Sequence, residues 1–289
     1  MKNLSTTDYA DKAAVTDAIL QLFTYARTQA NNIYSLSIVL IAAALQGVSE
    51  NYETVLRELK PALILMDDSP EKNWLMGRML FAEAMIDPRY VYQSSSISQE
   101  SMTILPYNVM NAWALAYFSS LSPESYVQMR TSMLQAVNDQ QTAAILPDAL
   151  WALIMGLQAA AYANQRSDYD VILQNMKLLT NRQSLTEVFS FLTRTEDSSD
   201  YPAWAIGIVC VAAVCMDDKE LFDEVSVLLS EAIQAAKSWT EAAGQSPSNQ
   251  WKGRAEATMG RIYLVLASAQ WHLSHDDGLV LDLPVLRAI

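Results

Sequence analysis

The sequence predicts an all-α fold of stacked antiparallel helical hairpins, and three observations carry that expectation. Glycine and proline are scarce, 8 and 9 in 289 residues, while 51% of the chain is hydrophobic. Sandwiches and nucleotide-binding α/β folds spend more glycine on turns and phosphate loops. Apolar residues recur at steps of three and four in segment after segment, and no segment alternates apolar with polar residues as a half-buried strand does.

The elements follow in order. A first helix falls within 1–33. Tyr52, Val55, Leu56 and Leu59 form one helical stripe, and Pro61 directly after it predicts a helix that ends or bends there. Ser69-Pro70-Glu71 and Ser122-Pro123-Glu124 each read as an N-cap, a proline at the first helical position and an acid at the positive end of the helix dipole. Tyr126, Met129, Met133 and Val137 make a second stripe, and Tyr169, Ile172, Leu173, Met176 and Leu179 a third. Ser184 with Glu187 and Asp217 with Glu220 have capping-box spacing. The run from Ala203 to Met216 is apolar throughout, which predicts a helix buried on nearly all sides. Leu221, Phe222, Val225, Leu228, Leu229, Ala232 and Ala236 share one helical face. A C-terminal helix occupies 239–275 and a tail 276–289. Polar breaks at Gln93 to Ser101, Thr195 to Asp200 and Gln245 to Gln250 are too short for interdomain linkers, so 1–289 reads as one domain of about 11 to 13 helices.

Within it, residues 34–238 show internal similarity. Trp74, Trp113, Trp151 and Trp204 each open a Trp–small/apolar–apolar triplet. The step is 39 residues from Trp74 to Trp113, 38 from Trp113 to Trp151 and 53 from Trp151 to Trp204, the last interval holding the extra helix expected from Ser184. An earlier copy starts at Tyr34 and a later one at Trp251. A second aromatic follows each time: Tyr52 after Tyr34, Tyr126 after Trp113, Tyr169 after Trp151, Phe222 after Trp204. Each unit thus reads as a helix A opened by Trp and a helix B opened by Tyr or Phe. One such hairpin cannot bury its own apolar faces, whereas stacked neighbours can.

The stretch Ala160-Ala161-Tyr162-Ala163-Asn164-Gln165-Arg166-Ser167-Asp168-Tyr169-Asp170 resembles the middle of a tetratricopeptide repeat, with a small residue in helix A and an Asp-Tyr pair at the turn into helix B. Asn51-Tyr52-Glu53 and Ser125-Tyr126 are weaker echoes. The intervals exceed the family's period of about 34, Ser167 stands where the turn glycine would be, and a repeat-closing proline is not regularly placed. The resemblance implies a right-handed α-solenoid of helical hairpins that binds a protein or peptide.

Composition narrows function. The net charge is −13, with 19 scattered basic residues against 32 acidic ones, which argues against nucleic acid and weakly for a basic partner. The longest apolar run has 14 residues, short of the ~18–20 that span a bilayer. The polar N-terminus lacks a secretory core, and Cys210 and Cys215, five residues apart on one helix, point in different directions and predict no mutual disulfide. A cytoplasmic location is the expectation, with signal-independent export left open.

Candidate sites are few. His272 and His275, the only histidines, share a helical face and are followed by Asp276 and Asp277, a set that could hold Zn²⁺ in a metal-dependent enzyme; a helix end with a cation at its negative pole accounts for the same residues. Asp217, Asp218, Glu220, Asp223 and Glu224 could meet a basic peptide or serve as helix-start acids. Asp67-Asp68 and Glu83 with Asp87 are carboxylate pairs with no nucleophile, glycine-rich loop or metal partner nearby. Tyr107, Asn108, Asn111, Tyr162 and Asn164 are the candidates for a peptide groove lined by A helices, placed by position alone. No cofactor is implied. The favoured function is a non-catalytic interaction module of adaptor, secretion-chaperone or effector type.

Overall fold

The structure, a computed structural model, describes residues 17, 20–28, 32–46, 49–86, 127, 130–131, 146–194, 202–229, 231–235, 253, 255–263 and 267. Among these residues there is no strand, and eight helices account for most of them. They are α1 (Asn32–Gln46), α2 (Ser49–Leu65), α3 (Pro70–Ile86), α4 (Leu146–Tyr162), α5 (Arg166–Thr180), α6 (Leu185–Arg194), α7 (Pro202–Cys215) and α8 (Lys219–Ser226). Residues 20–26, 231–235 and 255–263 are also helical.

Local chemistry sets the helix starts. Ser69 Oγ accepts the Lys72 N–H at 3.1 Å, Pro70 is the first helical residue of α3, and Glu71 lies in the first turn. At α6, Ser184 Oγ accepts the Glu187 N–H at 3.2 Å, and the Glu187 carboxylate reaches back to the Gln183 N–H at 3.0 Å. The cap of α8 lies one residue later than the capping-box spacing suggested. Asp218 Oδ1 accepts the Leu221 N–H at 3.1 Å, while Asp217, at φ 54°, occupies the left-handed turn that closes α7. A short polar side chain tolerates that conformation, so the two adjacent acids divide the two tasks.

Pro61 does not end its helix, which continues to Leu65. The proline removes an N–H that would bond the carbonyl of Arg57. Pro61 and Arg57 face solvent, where water can take that carbonyl, while Leu59 and Leu63 are fully buried on the other side. Burial of two leucines, worth about 1.5–3 kcal/mol each, offsets the ~3 kcal/mol proline cost. The aromatics do not open their helices either. Trp74, Trp151 and Trp204 are the fifth, sixth and third residues of α3, α4 and α7, and Tyr52, Tyr169 and Phe222 are each the fourth residue of α2, α5 and α8.

Two kinds of helix result. Every residue from Ser35 to Ala44 in α1, Leu153 to Ala161 in α4 and Pro202 to Val214 in α7 is buried. In α2, α5 and α8 a single stripe is buried: Tyr52, Val55, Leu59 and Leu63; Tyr169, Ile172 and Met176; Leu221 and Val225. The continuous apolar run of α7 and the three-four spacing of α2, α5 and α8 are the sequence origins of these two patterns. Among these helices α4 packs on α7, α1 packs on α3, and α1, α4 and α7 each pack on the helix that follows, α1 on α2, α4 on α5 and α7 on α8. Helix α6 packs against α5, α7 and α8.

The turns leaving α4, α5 and α7 are built alike, the α5 one around Asn181 at φ 52°, and those of α4 and α7 stand 53 residues apart. Asn164 N–H donates to Ala161 O at 3.1 Å and Gln165 N–H to Ala160 O at 2.8 Å; Asp217 N–H donates to Val214 O at 3.1 Å and Asp218 N–H to Ala213 O at 2.8 Å. Asn164 and Asp217 have φ 52° and 54°. This is the Schellman closure of a helix, with Asn or Asp in place of the usual glycine. The interval equals that between Trp151 and Trp204.

A helical segment at 255–263 lies against α7 through two glycines. A Cβ on Gly260 would stand 2.5 Å from Ala203 O, and one on Gly207 2.8 Å from Tyr263 Cβ and 3.1 Å from Gly260 O. Glu256, 2% exposed, completes the joint: its carboxylate accepts the Ala203 N–H at 2.7 Å, at the start of α7. A helix N-terminus buried this deeply needs an acceptor for its first amides, and its dipole favours a negative one.

Cys210 is buried and Cys215 partly so, and no disulfide joins them. Burial pushes the Cys210 thiol up to about 12. The unfolded chain releases this proton near the ordinary value of about 8.5, so above that pH the unfolded state holds fewer protons and stability falls as pH rises. The unfolding free energy read from urea titrations is expected to fall between pH 8 and 10 by about 2 kcal/mol from this thiol alone. Cys210→Ala should remove that part of the slope, and an identical slope in the variant would refute the assignment.

Candidate functional site

Several of the positions singled out in the sequence fall outside the described residues: Tyr107, Asn108, Asn111, His272, His275, Asp276 and Asp277. Tyr162 is the last residue of α4. Asn164 is exposed and forms the left-handed turn after that helix, a backbone task that accounts for an Asn at this position. Among the described residues no group of three His, Cys, Asp or Glu side chains could hold a metal ion, and no helix is long and apolar enough to cross a membrane.

The acidic residues around α8 have structural work. Asp218 caps the helix, Lys219 pairs with Asp223 one turn on, and Glu224 accepts both the N–H and the hydroxyl of Thr186 at 3.0 Å, tying α8 to the start of α6. Of the carboxylate pairs, Asp68 is exposed and bonded to Lys72 at 2.9 Å, Glu83 is buried with Lys60 3.5 Å away, and Asp87 lies outside the described residues.

Polar chemistry that periodicity does not reveal gathers in two places. The first is internal. Arg78 of α3 is 1% exposed; its Nη1 donates to Ser37 Oγ of α1 at 3.1 Å, and its guanidinium lies 5.3 Å from the Trp204 ring of α7. Trp204 in turn meets Trp151 of α4 edge to face, with centroids 5.6 Å apart and planes at 72°. Helices α3, α4 and α7 therefore meet at one tryptophan, and α1 joins them through Arg78. A cation over a desolvated indole is worth about 2 kcal/mol, which helps keep a guanidinium inside. Tyr34 of α1 bonds to Glu71 of α3. Among the described residues the buried polar ones, Ser35, Ser37, Arg78, Glu83, Gln158, Glu256 and Thr258, lie on α1, α3 and α4 or on 255–263.

The second cluster sits at the edge where α5 and α8 begin. Arg166 Nη1 donates to Met216 O at 3.1 Å, its Nε donates to Asp170 at 3.1 Å, and its guanidinium lies 5.3 Å from the Tyr169 ring. Tyr169 is fully buried, and its hydroxyl donates to Asp218 Oδ2 at 3.2 Å. Burial first, and the Asp218 carboxylate second, raise the Tyr169 hydroxyl far above the usual tyrosine range, so it remains a donor. Arg130 Nε continues this edge, 2.8 Å from Asp168. Arg166, Tyr169 and Asp218 thus tie the start of α5 to the turn before α8, while the Arg166–Asp170 pair lies within α5.

Compared with known proteins, the chain matches no family model, no curated protein and no solved structure.

Proposed function

We propose that the chain is a non-catalytic, tetratricopeptide-like helical-repeat module that binds a protein or peptide, of adaptor, secretion-chaperone or effector type, acting in the cytoplasm. The observation that supports it most is the recurrence, 53 residues apart, of the same helix-closing turn after a fully buried helix and before a half-buried one. Gly207 and Gly260 repeat the same interval. Stacked units of this kind grow by nearest-neighbour packing and present broad surfaces rather than a single pocket.

The burial of α1, α4 and α7 shifts where a partner would dock. An open groove needs one face of these helices exposed, and from Ser35 to Ala44, Leu153 to Ala161 and Pro202 to Val214 the side chains are covered. Among the described residues the large exposed apolar groups lie off α1, α4 and α7: Ile64 and Leu65 at the end of α2, Val171 and Leu178 on α5, Val227 after α8, and Leu20 and Val127. The excess of acid over base in the whole chain suits a partner of net positive charge.

Affinity capture from the native cytoplasm, followed by reconstitution of the complex from purified components, tests this reading. A single protein that rebinds at fixed stoichiometry, with affinity falling as salt rises, is the expected result. Turnover of a small molecule by the purified chain, with no protein that rebinds, would overturn it.

A further inference from the structure

The Asp218 carboxylate serves two helices at once. Its Oδ1 accepts the Leu221 N–H at 3.1 Å and so caps α8. Its Oδ2 accepts the Tyr169 hydroxyl of α5 at 3.2 Å and lies 3.8 Å from Arg166 Nη2. Arg166 closes the circuit by donating to Met216 O, in the turn that positions Asp218. Helices α5 and α8 are not a closely packed pair in their own right; each is packed on its own inner helix, and α6 packs against both. The side chains at this edge are therefore what joins the two helix starts.

We propose that Asp218 couples the first turn of α5 to the first turn of α8, so that these two outer helix ends open and close as one unit while α4 and α7 stay packed. The physical reason is that one acceptor satisfies a helix-start amide on one element and a buried hydroxyl on the other. When α8 uncaps, Asp218 swings away and leaves the Tyr169 hydroxyl buried without its acceptor, which is the costly state of a polar group. When α5 lifts, Asp218 loses a donor and a charge partner that hold it in capping position. Coupling of this kind is reciprocal.

Hydrogen exchange on the full chain, read over peptides covering 166–172 and 219–226, tests both directions. Tyr169→Phe removes the hydroxyl alone and is expected to speed exchange in 219–226 about tenfold, the equivalent of one hydrogen bond to a charged group, with α1 to α3 unchanged. Asp218→Ser keeps a competent cap for α8 but cannot reach Tyr169. It is expected to speed exchange in 166–172 by a similar factor. Acceleration confined to the substituted helix in both variants would overturn the coupling. Uniform acceleration across all helices, or a Tyr169→Phe chain that no longer folds, would overturn it too, because the hydroxyl would then act on the whole fold and not on one edge.

Discussion

Gly260→Ala is expected to destabilise the protein by about 3 kcal/mol, the upper end of the range for overpacking a tight contact. The added methyl would stand 2.5 Å from the carbonyl oxygen of Ala203 and 2.8 Å from its carbonyl carbon. Both are backbone atoms in the first turn of α7, and that turn is also held by the Glu256 carboxylate, one helical turn before Gly260 on the same segment. Relief of the clash therefore requires the two helices to separate, and separation lengthens the Ala203–Glu256 bond. Gly207→Ala meets Tyr263 Cβ at 2.8 Å and the Gly260 backbone at 3.1 Å and should act in the same direction with a smaller effect. Because both methyl groups open one crossing, the double variant should cost less than the sum of the singles. Urea unfolding followed by circular dichroism reads all three. A Gly260→Ala midpoint equal to that of the parent would mean that the crossing is wider in solution.

How much of this was legible in the sequence differs from residue to residue. The apolar run at Ala203–Met216 and the stripes after Tyr52 and Tyr169 announced which helices are buried all round and which on one side, because burial is what apolar periodicity encodes. Ser69-Pro70 announced a helix start through local stereochemistry, which needs no tertiary information. Pro61 misled, since a local rule for breaking helices gave way to the burial of Leu59 and Leu63. Asp217 and Asp218 were ambiguous by one position, since both can cap and only the turn geometry assigns one to the left-handed closure and the other to the amide of Leu221. Arg78 and Glu256 were illegible for a different reason. A single charged residue in a helix reads as a solvated one, and what brings it inside lies on another element: an indole and a serine for Arg78, a helix start for Glu256. The edge network of Arg166, Tyr169 and Asp218 shares this property, since its members are 3, 49 and 52 residues apart and only packing brings them together. Local rules read local structure, and the polar joints between units are long-range by construction.

Trp204→Ala is expected to produce the largest loss of stability among single core substitutions, about 3–5 kcal/mol. The indole is completely buried and is met from two other helices, by Trp151 of α4 at 5.6 Å and by the Arg78 guanidinium of α3 at 5.3 Å, while Ser37 of α1 holds Arg78 in turn. Truncation removes the apolar area and leaves a cavity that helices fixed by their other contacts can only partly close. It also withdraws the ring over which a buried cation is placed, so part of the cost is electrostatic. Trp204→Phe separates these contributions, because a phenyl ring keeps a face for the guanidinium and fills most of the space. About 1–2 kcal/mol is the expected loss for that variant, since it shrinks the ring without emptying the site. If the cation over the ring carries part of the energy, replacing Arg78 in the Trp204→Ala background costs less than replacing it in the parent, and the difference is the coupling between them. Equal costs in the two backgrounds would mean that Arg78 and Trp204 are neighbours in space without being partners in energy, and the centre of the fold would then be held by apolar packing alone.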